Sequence, residues 1–154
     1  DGVMAQILRP DQQISVSYVD NGSGGTTNLH NRINDKSDTT YVEGVSFIPG
    51  SLVVGLPEPP NTPSSGDSTV YFRIRTSDPA IGIKCEILQT STSKGSLTKD
   101  PTSTWTTWSF TATLTDYSDL RVNISGLLTS NFVSEVWVEV PDGVAGGIEM
   151  GCAF

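Results

Sequence analysis

The chain contains few of the residues that most often carry catalysis or bind metals. It has a single histidine, His30, and two cysteines, Cys85 and Cys152, among its 154 residues. A Ser–His–Asp triad would need His30 as its base, and no Gly-x-Ser-x-Gly turn accompanies it. No set of histidines and cysteines has the spacing of a zinc site. These absences predict a protein that is not an enzyme and that needs no cofactor.

Basic residues and long apolar runs are also scarce. Nine lysines and arginines stand against seventeen aspartates and glutamates, which gives a net charge of −8. Nucleic acids and anionic membranes both attract basic surfaces, so we expect neither as a partner. No run approaches the roughly 20 apolar residues that span a bilayer. No signal peptide is recognised at the N-terminus, and what precedes Asp1 is left open.

The sequence does contain many short segments in which apolar and polar residues alternate. Between Val70 and Thr76 every second residue is apolar, as in a strand with one dry face and one wet face. Polar or proline-rich segments separate these runs, among them Gly55–Ser68, which predicts an extended crossover, and Ser91–Pro101, which predicts a loop. Strands are predicted at Val3–Arg9, Gln13–Val19, Thr40–Ile48, Ser51–Leu56, Ser68–Thr76, Ile81–Leu88, Trp105–Leu114, Leu120–Ser125 and Phe132–Val140, with a last one at Gly147–Phe154.

Only Asn28–Asp35 hints at a helix, because Leu29 and Ile33 lie four residues apart. Many short strands without a βαβ rhythm predict an all-β protein. We expect one domain over residues 1–154, an antiparallel β-sandwich with jelly-roll topology and at most one short helix.

Two pairs of reactive side chains have structural interpretations. Cys85 falls on the apolar phase of its strand and is predicted to lie in the core, and a disulfide with Cys152 is left open. Glu135 and Glu139 share one phase of a strand about 13 Å apart, which is too far for either glycosidase mechanism. We therefore interpret them as part of a solvated sheet face.

Two tryptophans fall on the polar phases of their strands. Trp105 groups with threonines, and Trp137 lies between Glu135 and Glu139. Such a tryptophan can cap the edge of the core, bind the face of a sugar, or enter a subunit interface, which favours large rigid side chains. The apolar C-terminal tail, residues 146–154, is a second candidate for contact between subunits. The predicted interface residues are Trp105, Trp137, Ile148, Met150 and Phe154.

A weak calcium site is conceivable at Asp35 and Asp38, because hard cations prefer clustered oxygen ligands. The segment has no EF-hand pattern, so turn and capping roles are favoured and no metal is predicted.

Five segments, taken in their order along the chain, resemble a β-sandwich domain found in structural proteins of tailed bacteriophages and prophages. The resemblance runs from about residue 7 to 141 and leaves the proline-rich Leu56–Ser65 and the Gly146–Phe154 tail unplaced. The segments are Ile7–Pro10, Leu29–Asp35 leading into Asp38–Val42, Tyr71–Arg75, Leu114–Val122 and Val136–Pro141.

This resemblance implies a non-enzymatic virion protein, foremost a capsid decoration (cement) protein, or else a neck or tail accessory protein. It implies capsid or other virion proteins as partners, a homo-oligomer, and a location in the virion after assembly in the host cytoplasm. Similar jelly rolls also occur as carbohydrate-binding modules. The alternative function is therefore glycan or host-receptor binding, with a glycan as partner.

Overall fold

A computed structural model describes residues 5–78 and 82–143. The predicted strand at Gly147–Phe154, and with it Cys152 and the interface candidates Ile148, Met150 and Phe154, lies outside these residues. The strands of the described part are β1 (Gln6–Leu8), β2 (Gln12–Ser17), β3 (Val19–Asp20), β4 (Val42–Gly44), β5 (Gly50–Gly55), β6 (Ser68–Thr76), β7 (Ile83–Gln89), β8 (Thr92–Lys99), β9 (Thr106–Ala112), β10 (Leu120–Leu127) and β11 (Asn131–Val140).

The strands form two antiparallel sheets that face each other as a sandwich, which confirms the predicted fold class. The six-stranded sheet has the order β3-β4-β11-β6-β9, and β1 pairs with the C-terminal end of β11. The five-stranded sheet has the order β2-β5-β10-β7-β8. The segment Gly55–Ser68 crosses from one sheet to the other, as predicted from its prolines.

The core lies between the sheets and is built from the apolar phase of each strand. Val70, Phe72 and Ile74 of β6 are fully buried, and Val122 and Ile124 of β10 face them from the other sheet. Burial of one such side chain contributes about 1.5–3 kcal/mol. The period-two pattern therefore fixes which face of each strand turns inward.

Two local predictions are confirmed. A 3-10 helix spans Leu29–Arg32, and both Leu29 and Ile33 are buried against the sandwich. Cys85 is buried in the core, and this burial raises the pKa of its thiol well above the ordinary value. His30 lies in the same 3-10 helix, where its backbone carbonyl accepts a hydrogen bond from Ile33 N.

Two other predictions are wrong. The segment Ser91–Pro101 is not a loop, because Thr92–Lys99 forms β8 at the edge of the five-stranded sheet. The strand predicted over Thr40–Ile48 shrinks to Val42–Gly44, and the chain then leaves the sheet as a loop in which Phe47 is 96% exposed. Among the residues described, no helix reaches the length and apolarity needed to cross a bilayer.

Candidate functional site

The outward side of the six-stranded sheet carries two groups of aromatic side chains, and we call it the aromatic face. Three strands provide its central rows, in which Trp137 lies beside Tyr71 and Tyr71 beside Ser109. The side chains of the aromatic face are Tyr71, Arg73 and Arg75 of β6, Thr107, Ser109 and Thr111 of β9, and Phe132, Glu135, Trp137 and Glu139 of β11.

One end of the aromatic face carries a stack of three side chains. The rings of Trp137 and Tyr71 are nearly parallel, with centroids 4.6 Å apart and an interplanar angle of 6°. The guanidinium of Arg9 lies over the other side of the stack, 5.6 Å from the Trp137 ring. The Tyr71 hydroxyl donates to Glu139 Oε1 at 3.2 Å, and burial together with this carboxylate raises the pKa of Tyr71. These contacts hold both rings upright on the sheet.

A strip of small hydroxyl side chains runs beside this stack. Thr107, Ser109 and Thr111 are exposed on β9, which is the edge strand of the sheet. Trp137 covers the β11 side of Tyr71, so the opposite side of the Tyr71 ring is turned toward Ser109. An aromatic wall thus stands beside a strip of exposed hydroxyls, and we call the two together the trough.

The middle of the aromatic face is an ionic row. Asp38 accepts from Arg73 Nε at 2.9 Å, from Arg73 Nη2 at 2.9 Å and from Ser134 Oγ at 2.7 Å. The hydrogen bonds from Arg73 are the main reason why the pKa of Asp38 lies below its usual value. This carboxylate reaches the sheet from the segment before β4 and is neutralised there by an arginine.

Asp35 has different partners from Asp38. Its carboxylate accepts from Ser37 N at 3.2 Å and lies 3.4 Å from Thr40 Oγ1, which is a turn role. Within residues 5–78 and 82–143, no three His, Cys, Asp or Glu side chains come together as a metal site. The sequence interpretation, which favours turn and capping roles for Asp35 and Asp38 over a weak calcium site, stays a prediction.

The two glutamates of β11 are not equally solvated, contrary to the sequence interpretation. A β-bulge between Val133 and Glu135 adds Ser134 to β11 and shifts the register of the strand. Glu135 is only 7% exposed. Its carboxylate accepts a hydrogen bond from Arg9 Nη1 at 3.1 Å. Glu135 is therefore a partly buried member of an ion pair that also positions Arg9 over Trp137.

The other end of the aromatic face holds a second aromatic group. Trp105 lies one residue before β9, with its ring centroid 6.3 Å from Tyr41 and 6.5 Å from Phe132. The Arg75 guanidinium lies 4.7 Å from the Phe132 ring and 5.5 Å from the Trp105 ring. The structure thus places the predicted residues Trp105 and Trp137 on one face, at opposite ends.

A separate groove of about 300 Å³ lies between the crossover and the turn before β10. Ser118 donates to Asp116 Oδ1 through its backbone and its hydroxyl, and these bonds lower the pKa of Asp116. The groove is lined by Glu58, Pro59, Thr62, Pro63, Thr115, Asp116, Tyr117 and Ser118. Only one aromatic ring contributes to it, and the hydroxyl of that ring, in Tyr117, donates to Leu114 O.

Sequence reasoning did not find Tyr71, Tyr41 or Arg75 as site residues. The alternation along β6 predicted that Tyr71 and Arg75 point outward. Which residues lie beside them on the neighbouring strands depends on strand pairing, which the sequence does not display. An outward aromatic residue on each of two strands is the signal that could have suggested the stack.

The fold is similar to that of several carbohydrate-binding modules. A module of lichenase 5A from Cellvibrio mixtus, in complex with cellotriose, superposes with a TM-score of 0.53 at 16% identity, covering 89% of this chain and 97% of that one. The C-terminal family 6 module of a marine laminarinase from Zobellia galactanivorans gives 0.55 at 15% identity, with coverages of 89% and 98%. A family 35 module from Clostridium thermocellum gives 0.55 at 17% identity, with coverages of 88% and 97%.

These identities establish a shared fold and not a shared ligand. The sequence matches no protein-family model and no curated protein. The chain is an antiparallel β-sandwich of the jelly-roll type that such modules adopt.

Proposed function

We propose that this protein is a non-catalytic carbohydrate-binding module whose glycan lies along the aromatic face. The observation that carries the proposal is the trough in which the Tyr71 ring, backed by Trp137, borders the exposed hydroxyls of β9. The similarity to modules such as the one in complex with cellotriose supports a glycan as the ligand class.

The trough suits the two kinds of surface that a sugar presents. The C–H side of a pyranose ring is apolar and packs on an aromatic ring, and its hydroxyls need donors and acceptors. Tyr71 offers the ring, and the hydroxyls of Thr107, Ser109 and Thr111 can donate or accept. The glycan would lie over β9 with its apolar side against Tyr71.

The length of the face favours a chain of sugars over a single one. Tyr71 and Arg75 are four residues apart on β6, so the Tyr71 stack and the Trp105 group lie roughly 13 Å apart along the strand. An oligosaccharide that contacts both ends would bury two aromatic groups. The contacts that hold both ends before a ligand arrives limit the entropy lost on binding.

The test is glycan retention by Tyr71→Ala and Trp105→Ala. We expect wild-type protein to be retained by at least one polysaccharide in affinity electrophoresis over neutral and anionic β-glucans, galactans, xylans, mannans and uronans. Each substitution should weaken binding about tenfold or more, which corresponds to losing about 1.4 kcal/mol or more of ring contact. Calorimetry with the matching oligosaccharide gives the affinity.

Tyr18→Ala is the matched control, because Tyr18 is 47% exposed and lies outside the aromatic face. It should leave retention unchanged, and unfolding curves should show that all three variants remain folded. Wild-type protein that ignores the whole panel, or Tyr71 and Trp105 variants that bind as well as wild type, would refute the proposal.

A second candidate is the virion structural role implied by the sequence resemblance, with capsid decoration as its main form. The observation that favours it is a cluster of exposed apolar side chains, which isolated soluble proteins usually bury. Phe47 is 96% exposed, and Ile48, Val45 and Tyr18 are each about half exposed.

This second candidate predicts that the chain co-purifies with phage particles on a density gradient. Hundreds of copies per particle would support capsid decoration, whereas a few to a dozen would indicate the neck or tail. Absence from particles would remove the virion role and leave the free glycan-binding module.

A further inference from the structure

We infer that the glycan carries negative charge and that Arg75 recognises its carboxylate or sulfate group. This inference rests on the proposed function and adds the chemical class of the ligand. It starts from a contrast among the arginines of the aromatic face, of which Arg75 alone has no polar partner among the described residues.

The described residues contain three ion pairs, which use Arg9, Arg73 and Arg121. Arg75 takes part in none of them, and its guanidinium donates no hydrogen bond to these residues. Its Nε is buried without a partner, which is costly because a charged donor normally keeps water or an acceptor. The chain has seventeen acidic residues and nine basic ones, yet none of the acidic residues within 5–78 and 82–143 lies within ion-pair distance of Arg75.

The guanidinium of Arg75 is nevertheless held in place. It lies over the rings of Phe132 at 4.7 Å and Trp105 at 5.5 Å, and these contacts limit the orientations of its plane. Trp105 and Arg75 are only partly buried, so the end of the guanidinium remains accessible. A planar, preorganised guanidinium is suited to the bidentate binding of a carboxylate or a sulfate.

The charges around this end of the face do not cancel Arg75. Asp38 is bound to Arg73, and Glu135 is bound to Arg9. Arg32 lies 6.0 Å from the Tyr41 ring and donates to the Tyr41 and Asn21 carbonyls, which leaves its charge without a carboxylate. Glu43 is beside Phe132 on β4, but its carboxylate is turned toward Gly22.

Arg75 also lies beside the ring that would hold a sugar. In the sheet register it follows Ile74, which pairs with Thr106, so its own neighbour on the β9 side is Trp105. A sugar packed on Trp105 would bring a substituent of its ring to the guanidinium. The ligand class that fits both groups is a uronate-bearing or sulfated polysaccharide.

The test compares polysaccharides that differ in charge but share a backbone sugar. Polygalacturonate is paired with its methyl-esterified form, and carrageenan with desulfated carrageenan, so that the arms separate carboxylate from sulfate. We expect wild-type protein to bind the anionic member of at least one pair about tenfold or more tightly, with a preference that falls between 50 and 500 mM NaCl. Arg75→Gln should reduce the preference to within about threefold, mainly by weakening binding of the anionic member.

Two further variants make the result specific. Arg75→Lys keeps the charge but loses the planar fork, so it should retain only part of the preference. Arg121→Gln removes an arginine paired with Asp119 on the other sheet and should keep all of it. Equal binding of neutral and anionic members, or an unchanged preference in Arg75→Gln, would overturn the inference while the module function stands. If the protein binds neither member of either pair, the inference is wrong. If it also binds no polysaccharide of the wider panel, the proposed function is wrong as well.

Discussion

Replacing Gly44 with alanine is expected to lower the free energy of unfolding by more than about 3 kcal/mol, because the added methyl group has no space. Gly44 is buried in β4, where a Cβ would lie 2.3 Å from Leu128 O and 2.5 Å from Leu127 O. Both are backbone atoms, one in the last residue of β10 and one in the residue that follows it. Relief therefore requires moving a whole chain segment and not a flexible side chain.

The segment that would have to move is tied on several sides. Leu128 O accepts from Asn131 N at 3.0 Å, and Thr129 N donates to Ser46 O at 3.1 Å. Displacing Leu128 strains the turn into β11 as well as the loop after β4. In a chain of this size a loss of 3 kcal/mol lowers the melting temperature by about 10 °C, which calorimetry and urea unfolding measure.

Gly55→Ala is the matched control for Gly44→Ala. Gly55 is also a buried strand glycine, but a Cβ there would meet only side-chain atoms of Gln12 and Ile14, at 3.3–3.5 Å. Side chains at the edge of the sandwich can shift, so the control should change stability by less than about 1 kcal/mol. Equal losses in the two variants would show that glycine in a strand, and not the close backbone approach, is the cause.

The sequence pattern predicted well which face of a strand is buried, because the residues at every second position that are apolar are also the ones that lie in the core. Phe72 and its apolar neighbours on β6 alternate without a break, and the buried phase follows directly. The same reasoning placed Trp105 and Trp137 outward. β8 was not predicted, because its residues are nearly all polar and show no alternation of apolar and polar positions. Its one large apolar residue, Leu97, is only partly buried. An edge strand held by main-chain hydrogen bonds leaves little trace in the sequence.

The aromatic face as an assembled site could not be predicted, because it depends on contacts between distant segments. Asp38 and Arg73 are 35 residues apart, and nothing in either neighbourhood indicates the other. The bulge at Ser134 also shifts the register between Val133 and Glu135. Strict alternation along the sequence therefore assigns part of β11 to the wrong face of the sheet. Gly44 lies inside the predicted strand Thr40–Ile48, and nothing in the sequence shows which backbone packs against it.

The β10–β11 turn contains a buried polar network centred on Asn131. Asn131 has no exposed surface, and its side chain accepts from Leu128 N at 2.9 Å and donates to Thr76 Oγ1 at 3.1 Å. The Thr76 hydroxyl also accepts from Asp78 N at 3.2 Å. One side chain thus joins the end of β6 to the turn that begins β11, next to Phe132 of the aromatic face.

Asn131→Ala is expected to cost about 2–4 kcal/mol of unfolding free energy, because it leaves the Leu128 N–H without its acceptor in a dry site and removes one of the donors to the Thr76 hydroxyl. Thr76→Val removes the other end of the network at nearly constant volume. In the double variant the shared bond is already lost, so its cost should fall below the sum of the single costs by about 1 kcal/mol or more in urea unfolding. Strictly additive costs would mean that the two side chains act independently, and that packing alone sets the position of the turn beneath Phe132.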